Sequence, residues 1–188
     1  MEGATTGNND ALISEASKGN VNSVRSLING GNMNYQDRNG RTALIAAAEG
    51  GHEQLVYQLI NSGVNVNLKK NNGISALHLE AQNGHLQNVQ AMFQQADNID
   101  ALAPYNFKKN YTPLIFAAMN GHKPVVSFLL QRGANVRLKT QDGFNAILWA
   151  AKNKHDDVVK EIIEKGYDNQ SAKLFMDSFD DVSAIECN

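Results

Sequence analysis

A chain of 188 residues has room for one ordinary domain or a short array of repeats. Its 42% hydrophobic and 19% charged residues exclude wholesale disorder. The net charge of −2 excludes a molecule-wide field that would draw nucleic acid or an anionic membrane surface.

The first residues, MEGATTGNNDA, have neither the basic start nor the apolar centre of a signal peptide, and residues 1–8 are expected to be a disordered tail. Nowhere does an apolar run approach the ~18 residues of a membrane span. Cys187 has no partner within the chain, which fits a reducing compartment and a cytoplasmic setting, with a nuclear one also open.

From Asn9 onward the chain repeats. Gly51-His52 recurs as Gly84-His85, as Gly121-His122 and, degenerately, as Lys154-His155, with histidine intervals of 33, 37 and 33 residues. A second marker keeps the same phase. Gly40-x-Thr42-Ala43-Leu44 matches Gly73-x-Ser75-Ala76-Leu77, Asn110-x-Thr112-Pro113-Leu114 and Gly143-x-Asn145-Ala146-Ile147. The Thr, Ser or Asn suits a helix cap, so first helices are predicted over 44–49, 77–82, 114–119 and 147–152. Second helices follow each histidine, with apolar pairs one turn apart such as Leu55-Val56 with Leu59-Ile60 and Val125-Val126 with Leu129-Leu130. Gly63, Gly133 and Gly166 suit the left-handed residue that ends a helix. Two short helices cannot bury their apolar faces alone, so the units must stack into an all-α solenoid.

The stretches "GRTALIAAAEGGHEQLVYQLINSGVNVN" and "NYTPLIFAAMNGHKPVVSFLLQRGANV" resemble the ankyrin repeat, whose pattern is DxxGxTPLHxAAxxGHxxVVxxLLxxGAxVN. The resemblance covers residues 9–168 and implies five units joined by β-hairpin fingers, at about 9–36, 37–69, 70–106, 107–139 and 140–168. The first, lacking the hairpin, and the fifth, whose second helix is charged opposite its apolar pairs, are expected to cap the stack. Residues 169–188 form an extension in which Phe175, Phe179 and Val182 are spaced for an amphipathic helix. It is either a further cap or an acidic partner-binding segment.

For chemistry the pattern is unpromising. The resemblance gives His52, His85, His122 and His155 a structural role, bonding loop backbone and tying adjacent units. Packed helices lie roughly 10 Å apart, too far for equivalent histidines to share a metal with ligand bonds of about 2 Å. No phosphate loop, nucleophile elbow or HExxH motif occurs. An enzyme reading could rest only on His78, Glu80 and the long finger. No cofactor and no metal are expected.

What the resemblance does imply is protein binding, through the fingers and the concave face of the first helices. The residue before the Thr-Pro-Leu-like triplet is Arg41, Ile74, Tyr111 and Phe144 in successive units. These are read as contact anchors, although Tyr111 and Phe144 could instead pack between fingers. The fingers are rich in cations (Arg38, Arg41, Lys69, Lys70, Lys108, Lys109, Arg137, Lys139), with Asn71 among them. They form either a basic ridge that attracts an acidic, partly hydrophobic protein or peptide, or an ordinary solvated loop edge. Below the fingers, Met119 and Lys152 hold the variable positions at the ends of first helices, together with Glu49, Gln82 and the asparagines that follow.

Three departures from the pattern fall in or near the third unit. "ALAPYNFKKNYTPL" has four extra residues, bringing Tyr105 and Phe107 into a longer finger, and Asn110 stands where glycine is usual. Glu80 replaces a small residue and, if buried, needs a partner or a shifted pKa. Ala96 replaces the terminal glycine. The whole is expected to act as a monomeric, non-catalytic adaptor, or as the targeting domain of a larger protein or microbial effector.

Overall fold

A computed structural model describes residues 2–28, 32–105 and 108–166. Helices alternate in pairs: α1 (Glu2–Ser17) with α2 (Val21–Ile28), α3 (Ala43–Glu49) with α4 (Glu53–Asn61), and α5 (Ala76–Asn83) with α6 (Leu86–Phe93). After a hairpin of β1 (Ala103–Tyr105) and β2 (Lys108–Tyr111) come α7 (Pro113–Met119) with α8 (Lys123–Gln131), and α9 (Ala146–Lys152) with α10 (Asp156–Gly166). α1 starts at Glu2, so residues 2–8 are helical rather than the disordered tail the composition suggested. Residues 169–188 lie outside the described residues.

The first helices start where the caps predict. Thr42 Oγ1 accepts from Ile45 N at 3.2 Å, Thr112 Oγ1 from Ile115 N at 3.2 Å, and Asn145 Oδ1 from Leu148 N at 3.1 Å. Helices of seven to nine residues such as α3 and α4 are unstable alone, since isolated helices below about 12 residues are marginal in water. Stacking stabilises them. α1, α3, α5, α7 and α9 pack side by side as one layer, and α4, α6, α8 and α10 as a second. Leu44, Ile45, Leu114, Ile115 and Ile147 of the first layer meet Val56, Leu59, Val89, Met92, Val126, Leu129 and Ile162 of the second in a continuous core. Each such side chain contributes about 1.5–3 kcal/mol on burial. Fully buried alanines (Ala46, Ala47, Ala48, Ala117, Ala118, Ala150) let first helices approach closely.

The ends of the stack differ. α2 packs on α1 but stands off from α4, leaving a cleft of about 350 Å³ between Val21, Val24 and Ile28 on one side and Leu55 and Leu59 on the other. At the far end α10 packs tightly on α8 and α9. Not all of its charges face away from the core: Glu161 is buried, gripped by Lys165 at 2.7 Å and Lys123 at 3.5 Å. Gly63 and Gly133 take the left-handed conformation, whereas Gly166 remains within α10.

The fingers are joined laterally. Asn71 N donates to Asn39 O at 3.0 Å, and Asn71 Nδ2 to Arg38 O at 2.9 Å. Gln36 Nε2 reaches Lys69 O at 2.9 Å. Behind the fingers, Asn34, Asn67 and Asp100 each accept from a backbone N–H of the next unit: those of Asn65, Asp97 and Asn135. The four-residue insertion becomes the hairpin, paired antiparallel at Ala103 with Tyr111 and at Tyr105 with Lys108. Asn110 adopts φ +71°, which explains why asparagine, tolerant of the left-handed region, stands at this glycine position.

Candidate functional site

The face formed by the fingers and the ends of the first helices holds most of the residues singled out from the sequence, and they divide into three groups. In the second unit Arg41 Nε lies 2.8 Å from Glu49 Oε2, and Lys70 Nζ lies 2.6 Å from Glu49 Oε1. Arg41 Nε makes no hydrogen bond in spite of that distance, so its contact with Glu49 is ionic and poorly aligned. One carboxylate thus faces two of the finger cations. Arg38, Lys69, Asn71 and Lys139 are exposed.

Two expected contact anchors sit in the core. Tyr111 is 2% exposed, stacked 5.4 Å from the ring of Phe116 and 5.9 Å from that of Trp149. Met119 is buried at 8%. Both contact expectations are corrected; Tyr111 instead packs between units, the alternative its sequence position left open, and the reason lies in the rings beside it. The position after the His of TPLH is Ala46 in the second unit but Phe116 in the fourth and Trp149 in the fifth. These large rings fill the space under the fingers and roof Tyr111 over. Ile74 and Phe144 are partly exposed. Tyr105, Lys108 and Lys109 have their backbones in the hairpin, but their side chains, like all of Phe107, lie outside the described residues. Leu102, 49% exposed at the base of that hairpin, had no signal in the sequence.

In the fifth unit Phe144 lies 5.3 Å from Trp149, and Lys152 Nζ sits over both rings, 5.0 Å from Phe144 and 4.9 Å from Trp149. Trp149 Nε1 is buried without an acceptor. The sequence offered Lys152 as a contact residue but not its aromatic platform.

The histidines tie the units together, with one exception. His52 Nε2 bonds Ser17 O at 3.0 Å, His122 Nε2 bonds Gln82 O at 2.8 Å, and His155 Nε2 bonds Met119 O at 3.1 Å. Each ring rests on a glycine of the preceding unit, namely Gly19, Gly84 and Gly121. His85 breaks the series. Its Nδ1 turns to Glu80 Oε2 at 2.9 Å, and no side chain occupies the space over Gly51. Asparagines link the second and third units instead: Asn83 Nδ2 donates to Ala48 O at 2.9 Å and Asn88 Nδ2 to Glu53 O at 3.0 Å.

Glu80 is fully buried and Asn88 Nδ2 also donates to its Oε2, at 2.7 Å. Burial pushes its carboxyl above the usual range, although the bonds from Asn88 and His85 oppose the rise. His78 receives Ser75 N on Nδ1 at 3.2 Å and bonds Ala101 O through Nε2 at 2.8 Å, which makes it neutral with the proton on Nε2. Burial lowers its pKa to about 4. With both ring nitrogens engaged, His78 has no position from which to act as a base on a substrate. Among the described residues no three His, Cys, Asp or Glu side chains cluster as a metal site would need, and no helix is long and apolar enough to cross a membrane.

Comparison with known proteins agrees with this geometry. Residues 12–103 and 91–173 match the family model described as ankyrin repeats in three copies. A stretch of 64 residues, 34% of the chain, is 38% identical to the probable E3 ubiquitin-protein ligase XBOS33 of Oryza sativa subsp. japonica, covering 12% of that protein. Over 158 residues, 82% of the chain, it is 27% identical to the ankyrin repeat and KH domain-containing protein mask-1 of Caenorhabditis elegans, covering 4% of it. The chain therefore spans a small fraction of the length of these curated relatives.

Proposed function

The chain belongs to the ankyrin-repeat family, and on that premise we propose that it is a non-catalytic adaptor holding a partner protein on its fingers and concave first-helix face. Ankyrin repeats are generally protein-interaction modules and generally non-catalytic. The observation that carries the finer reading is a set of side chains on one face that serve no core. Arg38, Lys69, Leu102, Lys139, Phe144 and Lys152 stand exposed or half-exposed, in a stack whose units are tied by histidines and whose Arg38 and Lys69 fingers are bonded laterally. A preorganised surface loses little entropy on binding, so a modest set of contacts suffices for affinity. The excess of cations on the fingers, with apolar Leu102 and Phe144 among them, suits an acidic, partly hydrophobic protein segment in a cytoplasmic setting.

A second reading is favoured by one observation: the relatives are far longer than this chain. The same face would then be the targeting domain of a larger protein.

Affinity purification with the intact chain tests the first proposal. A saturable protein partner is expected, weakened by Phe144→Ala with Lys139→Glu and retained by Arg25→Glu, which lies in the cleft on the opposite layer. A partner lost on Arg25→Glu and kept by the other variant would move binding off this face.

A further inference from the structure

The concave face uses the same two positions twice, with opposite charge logic. Arg41 and Glu49 in the second unit correspond to Phe144 and Lys152 in the fifth, each pair separated by eight residues and related through Ile74 with Gln82 and Tyr111 with Met119. In the second unit the finger residue is the cation and the helix residue the anion. They meet at 2.8 Å, and Lys70 of the next finger joins them at 2.6 Å. In the fifth unit the helix residue is the cation and the finger residue an aromatic ring. Lys152 lies over Phe144 and Trp149, and among the described residues no carboxylate pairs with it. Exposed Lys139, on the same finger as Phe144, is likewise without a carboxylate partner there.

From this arrangement we propose that the partner is an acidic, extended peptide segment whose carboxylates settle at the fifth-unit end, on Lys152 and Lys139, and that Glu49 directs them there. The inference rests on the concave-face reading above and deepens it. Its physical basis is competition. A carboxylate approaching Arg41 and Lys70 meets Glu49 already in place and is repelled by it, whereas one approaching Lys152 meets an ammonium held by aromatic faces that a carboxylate can complement without displacing anything. An apolar side chain beside that carboxylate finds the half-exposed Phe144. Glu49 thus acts as an internal stand-in for the ligand. It offsets one of the two cations that composition alone would have placed at the centre of the site and occupies the position a ligand carboxylate would take between them, and so it sets the register in which the peptide lies.

The chain carries its own reporter, since Trp149 is its one tryptophan and lies directly beneath Lys152. The experiment titrates the intact protein with two synthetic dodecapeptides, one alternating Asp with Leu and the other Asn with Leu, following Trp149 emission and the anisotropy of a dye on the peptide. The acidic peptide is expected to perturb Trp149 and to bind at least about tenfold more tightly than the neutral one at low salt. Lys152→Gln and Lys152→Glu should weaken it, the second more, while Arg41→Gln changes binding less than about twofold. Glu49→Gln should tighten it by about threefold or more, and on that background Arg41→Gln should now cost affinity. Thermal unfolding of each variant checks that the fold persists.

The inference is overturned if Arg41→Gln weakens binding in the otherwise native chain as much as Lys152→Gln does, or if Glu49→Gln leaves affinity unchanged. Equal binding of the two peptides, still sensitive to Phe144→Ala, would remove the acidic-segment inference while leaving the concave-face reading in place. Failure of both peptides to bind also overturns the inference. The affinity purification then decides the broader reading separately.

Discussion

Gly51 and Gly121 occupy the same position in different units, with φ of +68° and +77°, yet they face different neighbours. A Cβ on Gly121 would come 2.7 Å from His155 Nδ1, whereas on Gly51 it would meet nothing within 4 Å. Alanine at either site takes on the left-handed penalty of about 1–2 kcal/mol. Only Gly121→Ala must also displace a tying histidine, so it should cost at least about 1 kcal/mol more in urea unfolding than Gly51→Ala. Equal losses would mean that the histidine rings do not hold the units. The difference traces to Glu80, which draws His85 away from Gly51. Because the folded-state pKa of Glu80 is raised, the proton-linked penalty of its burial is absent below its ordinary value, where both states are protonated, and grows as pH rises from there through the folded value. Replacing it with Gln should therefore stabilise the protein more at pH 8 than at pH 5, judged by urea midpoints. The sequence made the tie legible, because Gly-His recurs in phase, and it marked Glu80 as foreign to an alanine position. It left the burial of Tyr111 undecided between contact and packing. Repetition equates positions, but the side chains packed beneath them change, and the ring that covers Tyr111 arrives 38 residues later, in Trp149.

At the scale of elements, the first helices and their caps could be read within a residue of where they lie, since capping and apolar spacing are local properties. The long finger could be placed but not shaped. Its form depends on an anchor across 23 residues: His78 on α5 holds Ala101 O, at the threshold of β1. That bond carries a pH dependence with a definite sign. The folded pKa of about 4 lies below the ordinary 6.5, so the native state resists a proton that the unfolded chain accepts. The stabilisation is complete above pH 6.5 and falls away as pH drops towards 4, by at most about 3 kcal/mol. His78→Gln, with no proton to gain, should lose less stability over that interval. At pH 7.5 the same variant should speed amide exchange at Ala103 and Tyr111 relative to α7. Unchanged exchange there would show that the hairpin holds itself without His78.

For the molecule as a whole, stability in a stack is a sum over units and seams. The outer layer is continuous from α4 to α10 and interrupted between α2 and α4. Hydrogen exchange in the native state is therefore expected to reach α2 first, with α7 to α10 protected last. Exchange that begins in α10 would reverse this order. The solenoid was legible from period alone; the interruption was not. The first unit shows the same apolar spacing as the others, and the stand-off of α2 is a three-dimensional relation with no counterpart in the periodicity.

The lateral bonds from Gln36 to Lys69, from Asn71 to Asn39 and from Asn135 to Asp100 run from one unit to the next rather than within a unit. Mechanically this makes the molecule a set of springs in series. A pull between its two ends loads every seam with the same force, and extension begins at whichever seam is softest. The gap behind α2 thins the first junction, and the missing histidine tie over Gly51 thins the second. Under tension the protein should lengthen first in its N-terminal half, while the aromatic end around Trp149 keeps its shape and any grip it has on a partner.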